Sequence, residues 1–444
     1  RGGAEPLFWA GFLLITVPVT ARLVSRAPTR LERVLLVVGV GVLLYISKVL
    51  HDAFGFVYAD ELIHLGNAEA ILRTGGIFPE NTLLPVTVYY PGLGALTAGL
   101  ADLTGLSAFG AGLIVIGVAR LIMMLALFLL FERLSGLSRV AGLAALVYCA
   151  SPNFLFWSSQ YSYQSLALPL AVLTLLAVAQ RDPDRGPEHR FAWMVIPMLA
   201  ITAVTMTHHL TAYALAAILV LVSLAAAVGF GHRSNSAWGL VLFAGVATMA
   251  WLLQVAPLTG DYLSQIFTAT FDGIRETVEG SSGTRQLFES DGGTTAPPWE
   301  RLAGLASVAL VALALPFGLW RVWRMRGRSA MLVVLAVAGA AYLAILPLRL
   351  VPSAWETANR ASDFLYVGIA LTVALGARRI WRPGARTWLL APAVCAILAV
   401  VMVGGVISGW APSVRLSQPY RATVGGHVIE PQGTALARWS LDTI

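Results

Sequence analysis

The sequence predicts an all-α, polytopic transmembrane protein with about 12 membrane-spanning helices. Apolar residues make up 57% of its 444 residues, charged residues make up only 12%, and the mean hydropathy is +0.75. An average soluble domain carries about 25% charged residues. Apolar runs of roughly 18 to 22 residues recur along the chain, and this is the length that a helix needs to cross the core of a bilayer.

The apolar runs give the positions of the spans in chain order. Short loops rich in arginine follow alternate spans, as Arg22, Arg26, Arg321 and Arg324 illustrate, and this pattern is typical of cytoplasmic loops. The net charge of +7 therefore indicates orientation in the membrane and not a nucleic-acid surface. We predict spans at 6–24, 33–50, 107–131, 139–156, 163–180, 191–207, 210–228, 237–256, 302–320, 330–347, 364–377 and 387–409.

One segment leaves two interpretations open. Residues 191–228 are apolar apart from the sequence Thr207-His208-His209-Leu210-Thr211, so they form either one long helix or two spans joined by a tight turn. A single helix would move the arginines at 321–328 to the outer side of the membrane. The positive-inside rule favours the hairpin, which has His208 and His209 at the outer surface.

The membrane domain is predicted to cover residues 1–409. Its first outer loop is 52–106, and its second is 257–300, where a high content of Gly, Ser and Thr predicts partial mobility. Residues 410–444 form a polar extracytoplasmic tail, for which one interpretation is the start of a further domain. The two cysteines have no metal-ligand spacing and imply no disulfide framework.

The most informative feature is the acid pair Asp60-Glu61, which directly follows the second span. Ionisable groups close to a bilayer usually mark functional sites, although a solvated loop is the alternative. Helical spacing puts Asp60 and His64 on one face, and the small residues up to Gly75 predict a helix along the membrane interface. Other polar and aromatic residues collect at the predicted outer ends of further spans.

These residue types suit the transfer of a sugar from a lipid-linked phosphate. The sequence has no Walker loop and no GxGxxG motif after a strand, and activated nucleotides are not available outside a cell. Transfer from a lipid-linked phosphosugar requires a carboxylate to accept the proton of the attacking hydroxyl and a cation to hold the departing phosphate. Arginine suits this phosphate because its donors form a bidentate fork.

Residues 58–93 combine an acid pair in the first large outer loop, an interfacial helix with small residues, and a proline motif that leads back into the membrane. This order of features resembles the GT-C superfamily of integral membrane glycosyltransferases, which includes protein O-mannosyltransferases, aminoarabinose transferases and actinobacterial arabinosyl- and mannosyltransferases. The chain has Tyr90-Pro91-Gly92-Leu93 where several relatives carry Lys/His-Pro-Pro-Leu, so the resemblance leaves the subfamily open.

The resemblance implies roles for the acid pair. Asp60 is expected to be the catalytic base and Glu61 the second catalytic carboxylate, while a helix N-cap or a surface acid is the structural alternative. A divalent ion (Mg²⁺ or Mn²⁺) held by Asp60, Glu61 and His209 is a further hypothesis, although no strong metal-ligand spacing supports it. No other cofactor is implied.

Arginines are the expected ligands of the donor phosphate. Arg360 is the first candidate and Arg349 the second, and Lys48 can snorkel to the same phosphate; local ion pairs and interfacial anchoring are the alternatives. Rings and polar groups nearby are expected to contact the sugar or the acceptor, although interfacial aromatic belts explain the tyrosines equally well. This expected substrate-binding set comprises His64, Tyr89, Tyr90, Tyr161, Tyr163, Gln164, His208, His209 and Glu356.

The predicted function is that of an inverting GT-C-type glycosyltransferase in a bacterial cytoplasmic membrane. It would transfer a hexose or pentose from a polyprenyl-phosphate donor to a hydroxyl of a glycan, lipid or protein acceptor on the extracytoplasmic face. Its partners would be that donor, that acceptor and membrane lipid, and not nucleic acid. The alternatives are a multi-pass transporter or lipid flippase, and a polysaccharide polymerase or ligase. A transporter predicts ionisable groups in the middle of spans, where only Arg120 lies.

Overall fold

The computed structural model describes residues 4–181, 186–231, 237–281, 283–289, 295–378, 387–410, 415 and 431–443. In these residues the regular structure is helical, apart from one bridge between Glu289 and Thr295. The helices are α1 (Ala4–Val24), α2 (Arg30–His51), α3 (Ala59–Thr74), α4 (Gly92–Thr104), α5 (Ala108–Ser135), α6 (Ser138–Tyr148), α7 (Tyr163–Gln180), α8 (Gly186–Thr207), α9 (His209–Ala227), α10 (Trp238–Gln254), α11 (Leu258–Glu279), α12 (Pro298–Met325), α13 (Ala330–Ile345), α14 (Trp355–Gly376), α15 (Thr387–Gly409) and α16 (Pro431–Thr443).

The protein is a multi-pass membrane protein. Eight helices in the described ranges are long and apolar enough to cross a membrane, and a ninth span results if α10 and α11 count as one bent pair. Each predicted span coincides with one helix, but α6 ends eight residues before the predicted end of the fourth span. The predicted count of 12 is therefore not confirmed, because several of these helices are too short or too polar at one end.

Small residues and exposed apolar side chains both fit a helix bundle in lipid. A Cβ atom on Gly339 of α13 would lie 2.8 Å from the backbone of Gly368 in α14, so these two helices pack at close range. On the outside of the bundle, Leu31 and Leu35 of α2 and Phe317 of α12 are more than half exposed. Such side chains face lipid in a membrane and need no protein partner.

Helices α8 and α9 form the predicted hairpin. His208, between them, has extended backbone angles (φ −156°, ψ 118°), which interrupt the helix. The far ends of both helices lie beside the start of α10. Ser223 of α9 accepts a hydrogen bond from the Ala237 backbone at 3.1 Å, and Met194 of α8 lies 3.8 Å from the position of a Cβ on Gly239. Since both distal ends meet α10, the two helices are antiparallel.

Two regions differ in how well the sequence predicted them. The predicted interfacial helix is α3, which ends where Gly75 takes the left-handed conformation (φ 70°) that glycine adopts without strain. The second predicted outer loop is instead helical over Leu258–Glu279, and this helix, α11, is bent by 102° relative to α10. In the Gly-rich remainder of that loop, residues 282 and 290–294 lie outside the described residues.

The predicted tail is only partly described. Residues 411–414, 416–430 and 444 lie outside the described residues. Arg415 is fully buried, forms an ion pair with the buried Glu300 of α12, and lies over the ring of Trp9 in α1 at 4.7 Å. The start of the tail therefore packs into the helix bundle at this point.

Candidate active site

The acid pair Asp60-Glu61 occupies the first turn of α3. Tyr58 is the N-cap residue, and the Glu61 carboxylate accepts a hydrogen bond from the Tyr58 backbone at 3.5 Å. Acidic side chains are favourable at this position because the unpaired N–H groups of a helix start carry partial positive charge. Successive residues of a helix point about 100° apart, so the two carboxylates enter different surroundings.

Glu61 belongs to a buried ion cluster, which we define as Lys48, Asp52 and Glu61. The Lys48 ammonium lies 2.5 Å from Glu61 and 3.1 Å from Asp52, and all three side chains are at most 5% exposed. The Tyr161 backbone N–H also donates to Glu61 at 3.1 Å. These contacts do not fit the roles that the sequence predicted for Glu61 and Lys48. Glu61 is held by a cation and is not open to a substrate hydroxyl, and Lys48 is surrounded by carboxylates where a lipid phosphate was expected.

Asp60 belongs to an exposed ion cluster, which we define as Asp60, Glu356 and Arg360. The Arg360 guanidinium donates to Glu356 from Nε at 3.0 Å and from Nη2 at 2.7 Å, and its Nη2 lies 3.8 Å from Asp60. The exposed fractions of these side chains are 43% for Asp60, 59% for Glu356 and 34% for Arg360. The structure thus brings two predicted site residues, Arg360 and Glu356, near Asp60, although they lie 296 or more residues away in the chain.

Five of the predicted substrate-binding residues come together in a ring cluster, and Asp60 lies within electrostatic reach of its Tyr163 ring. The Tyr163 ring lies 4.3 Å from His64 and 4.4 Å from His208, and His209 lies 5.0 Å from Tyr90. Two further tyrosines, Tyr213 and Tyr262, lie 6.5 and 6.0 Å from His209. We define the ring cluster as His64, Tyr90, Tyr163, His208, His209, Tyr213 and Tyr262.

Several ring nitrogens of this cluster are buried without a hydrogen-bond partner in the described structure. His208 Nδ1 pairs with the Thr211 hydroxyl at 2.8 Å, but His208 Nε2 and both nitrogens of His209 are unpaired. Burial, followed by the charge of Arg360, lowers the pKa of His64 to about 3. Burial also lowers the pKa of His208, with smaller contributions from its charged and imidazole neighbours, among them Arg360. These imidazoles are therefore neutral near pH 7, and Arg360 lies within electrostatic reach of them.

A narrow cleft borders the ring cluster between α3 and α4. His64 and Tyr90 line it together with apolar and small residues. Asn67 donates to the Thr87 hydroxyl at 3.0 Å and accepts from Asn81 at 2.6 Å, which ties the 3₁₀ helix Pro85–Tyr89 to α3. Two residues of the ring cluster, His64 and Tyr90, thus border a small cleft beside α3.

Three predicted site residues make other contacts. The Tyr161 ring is fully buried, stacks on Phe56 at 4.8 Å and donates to Thr97, so it is a core residue and not a sugar-stacking surface. Tyr89 is partly buried against its neighbours and uses its backbone oxygen to accept from Trp251 at 3.0 Å. Gln164 donates to the buried carboxylate of Asp363 at 2.7 Å.

Two arginines that were singled out in the sequence also have protein partners. Arg349 donates to the Asn359 amide oxygen at 3.2 Å and to the Ser362 hydroxyl at 2.8 Å, while its Nε is buried and unpaired. Arg120 is buried within α5 and donates to the backbone oxygen of Phe154 at 2.8 Å. Arg120 therefore stabilises the loop after α6, and its position in a span does not indicate a transport path.

The described residues include no group of three or more His, Cys, Asp and Glu side chains that could hold a metal ion. The hypothesis of a divalent ion on Asp60, Glu61 and His209 does not fit the arrangement of these side chains, because Glu61 is paired with Lys48 and His209 lies in the ring cluster. No step of a mechanism is therefore assigned to a metal here.

Sequence reasoning missed three residues of this region. Asp52 was detectable, because Lys48 and Asp52 are four residues apart at the end of a helix, a spacing typical of ion pairs. Tyr262 and Tyr213 carry no such signal. Tyr262 reaches His209 only because α11 folds back at the 102° bend, and a bend of this kind has no simple sequence pattern.

No family model matches the sequence, and no curated protein matches it. Solved structures do. The crystal structure of ArnT from Cupriavidus metallidurans bound to undecaprenyl phosphate matches with a TM-score of 0.52 and 16% identity, over 85% of this chain and 76% of that one. An oligosaccharyltransferase from Archaeoglobus fulgidus, tethered to an acceptor peptide, matches with a TM-score of 0.52 and 13% identity, over 85% of this chain. The match spans about half, 55%, of the archaeal enzyme's length.

The chain has the GT-C fold. Both similar proteins are GT-C glycosyltransferases, so the fold that residues 58–93 implied is confirmed. At identities of 13% and 16% the likeness extends to the fold and not to individual residues. The roles of Asp60, Arg360 and the ring cluster therefore depend on their own geometry.

Proposed function

We propose that this protein is a membrane glycosyltransferase that moves a sugar from a polyprenyl-phosphate donor to a hydroxyl acceptor at the extracytoplasmic membrane surface. The observation that supports it most is the position of Asp60. This carboxylate is partly exposed, lies 3.8 Å from a guanidinium and is within electrostatic reach of Tyr163 and Tyr262 of the ring cluster, in a GT-C fold. The undecaprenyl phosphate bound to ArnT supports a lipid of this class as the carrier.

In the proposed reaction, Asp60 accepts the proton of the acceptor hydroxyl as its oxygen attacks the anomeric carbon. The new glycosidic C–O bond forms while the bond from that carbon to the phosphate oxygen breaks, which inverts the configuration. The electron pair of the broken bond leaves with the polyprenyl phosphate, and Arg360 stabilises the negative charge that collects there. Arg349 is the second candidate for this phosphate, and Lys48 is no longer one because two carboxylates hold it.

The ring cluster is the proposed surface for the sugar. Neutral imidazoles can donate or accept hydrogen bonds, and tyrosine rings pack on the apolar face of a sugar. The unpaired nitrogens of His208 and His209 supply buried hydrogen-bonding groups that a sugar hydroxyl would satisfy. The rings of Tyr90 and Tyr262 lie 5.0 and 6.0 Å from the His209 ring and would contact a sugar that binds there.

The test is the release of polyprenyl phosphate by the purified protein from a panel of polyprenyl-phosphate sugars, with a mixture of glycan and lipid acceptors. Asp60→Asn should lower the release by about 100-fold or more, because a positioned general base contributes about 10²- to 10⁴-fold. The matched control is Asp102→Asn. Asp102 is an exposed acid near the far end of α4. Gly92, at the start of this helix, follows Tyr90 of the ring cluster closely, and Asp102 lies ten residues and about 15 Å along the helix axis from Gly92. Equal release by Asp60→Asn and the control would contradict the proposal.

A further inference from the structure

The exposed ion cluster has an excess of negative charge. Asp60 and Glu356 are two carboxylates around one guanidinium, so the cluster carries a net charge of −1 when all three groups are ionised. An incoming phosphate anion would meet repulsion from this arrangement. Arg360 therefore cannot attract a phosphate strongly while both acids remain in place.

Glu356 covers the part of Arg360 that suits a phosphate best. Its Oε1 accepts from both Nε and Nη2, which form one of the two edges through which a guanidinium binds an oxyanion bidentately. Asp60 lies farther away, at 3.8 Å from Nη2, and makes no comparable contact. Of the two acids, Glu356 is thus the one that a phosphate must displace.

The displacement has a low energetic cost. Glu356 is 59% exposed, and an ion pair at this exposure contributes little to stability because water screens it. Glu356 also lies in the first turn of α14, where the partial positive charge of the helix start stabilises a released carboxylate. The side chain can therefore rotate into solvent and still be in a favourable electrostatic environment.

We propose that Glu356 is a displaceable counter-ion that competes with the donor's phosphate for Arg360 and so sets the affinity of the site for polyprenyl phosphates. This inference rests on the proposed function, since it takes Arg360 as the phosphate ligand. It changes the predicted role of Glu356. Glu356 does not contact the sugar. It weakens binding of the phosphate, which also helps the spent polyprenyl phosphate to leave after transfer.

The experiment is equilibrium binding of undecaprenyl phosphate to the purified protein in detergent, without turnover. Glu356→Gln should lower the dissociation constant by about two- to fivefold, the factor that corresponds to losing one screened ion pair. Arg360→Gln should raise it. The double variant should bind no more tightly than Arg360→Gln alone, because Glu356 acts only through Arg360.

The chain supplies a matched control for this test. Arg275 and Glu279 of α11 also form an i,i+4 arginine–glutamate pair, at 2.8 Å and with 53% exposure of the glutamate. Glu279→Gln removes the same charge from the protein and should leave the dissociation constant unchanged. A gain equal to that of Glu356→Gln would show an effect of net charge alone and would overturn the inference.

Other outcomes separate this inference from the proposed function. If Arg360→Gln weakens binding but Glu356→Gln leaves it unchanged or weakens it, the donor phosphate uses another edge of Arg360 and the inference fails alone. If Arg349→Gln weakens binding while Arg360→Gln does not, the inference fails because the phosphate lies on Arg349. If the unaltered protein binds no polyprenyl phosphate, both the inference and the proposed function fail.

Discussion

Asp60 and Glu61 are neighbours in the sequence, yet they belong to ion clusters with opposite properties. The buried ion cluster around Lys48 is at most 5% exposed, whereas the side chains of the exposed ion cluster around Arg360 are 34–59% exposed. Both clusters have two carboxylates and one cation. Burial determines whether water can replace an ionic partner. In the buried ion cluster the charges therefore stabilise the fold, whereas in the exposed ion cluster they remain available for exchange with a substrate.

The difference also explains why the two clusters should respond differently to the loss of their cation. In the buried cluster, removal of Lys48 leaves Glu61 without a cation and leaves Asp52 with only the His51 ring, 2.7 Å away, as a side-chain partner among the described residues. In the exposed cluster, water takes the place of Arg360 at both acids. The following predictions test this contrast, from the largest expected effect to the smallest.

The largest effect is expected for Lys48→Met. Because Glu61 and Asp52 would stay buried without a cation, the free energy of unfolding should fall by about 3–5 kcal/mol. The measurement is the thermal unfolding midpoint of the protein in detergent. Arg360→Met is the control and should cost no more than about 1 kcal/mol. A second variant, Lys48→Met with Glu61→Gln, should recover part of the loss because it removes one unpaired charge. Equal midpoints for the two single variants would contradict the contrast between the clusters.

Release of polyprenyl phosphate should depend more on the exposed ion cluster than on the buried one, which is the opposite of what we expect for stability. Arg360→Gln is expected to lower polyprenyl phosphate release by about 100-fold, as loss of one group that stabilises developing charge commonly does. Its unfolding midpoint should change little. Glu61→Gln should lower the midpoint and keep most of the activity per folded molecule, because Glu61 faces Lys48 and not the substrate. If Glu61→Gln abolishes activity while the protein stays folded, Glu61 is catalytic after all, as the sequence alone had suggested.

The packing of α4 against the α8–α9 hairpin should be sensitive to one methyl group. A Cβ atom on Gly92 would overlap the Thr207 hydroxyl and lie 3.1 Å from the Thr207 Cα, next to His208 in the ring cluster. Gly92→Ala should therefore cost about 1–3 kcal/mol by overpacking. The matched control in the same helix is Gly99→Ala, where no atom lies within 4 Å, and alanine should stabilise the helix by about 0.5–1 kcal/mol. A destabilised Gly99→Ala, or a neutral Gly92→Ala, would contradict this close packing.

The sequence predicted the local parts of this architecture and missed most of the long-range ones. Apolar runs gave the helices, and the spacing of Asp60 and His64 placed them on one helix, because both signals lie within one segment. The separation of Asp60 from Glu61 depends on where Lys48 lies across the turn between α2 and α3, and nothing in the sequence around residue 60 records this. Tyr161 was assigned to the site because it lies at the predicted outer end of a span, but its ring is buried in the core.

The prediction that Arg360 belongs to the site has a different basis. It was inferred from the need for a cation at the same membrane surface as Asp60, so the prediction used the topology of the spans and not a motif. Topology can bring residues to one end of a bundle, but it cannot decide which acid an arginine contacts. The i,i+4 spacing of Glu356 and Arg360 made a local ion pair an alternative from the start, and the structure shows this pair at 2.7 Å.

The smallest effect should be the loss of stability that His64 causes between pH 7.5 and 6.0, about 1 kcal/mol. Its pKa is about 3 in the folded protein, chiefly because it is buried, and about 6.5 in an unfolded chain. Between these values the unfolded chain binds a proton that the folded chain excludes. The free energy of unfolding should therefore fall as the pH drops from about 6.5 towards 3, by up to about 1.4 kcal/mol per pH unit for this one group. Above pH 6.5 the contribution of His64 is complete and constant.

Unfolding midpoints at pH 7.5, 6.0 and 5.0 measure this slope. His64→Gln should flatten it, while His208, whose pKa is also lowered, keeps a residual slope. If the variant and the unaltered protein lose stability in parallel, His64 is charged in the folded state, and the ring cluster is not the neutral environment that its burial indicates.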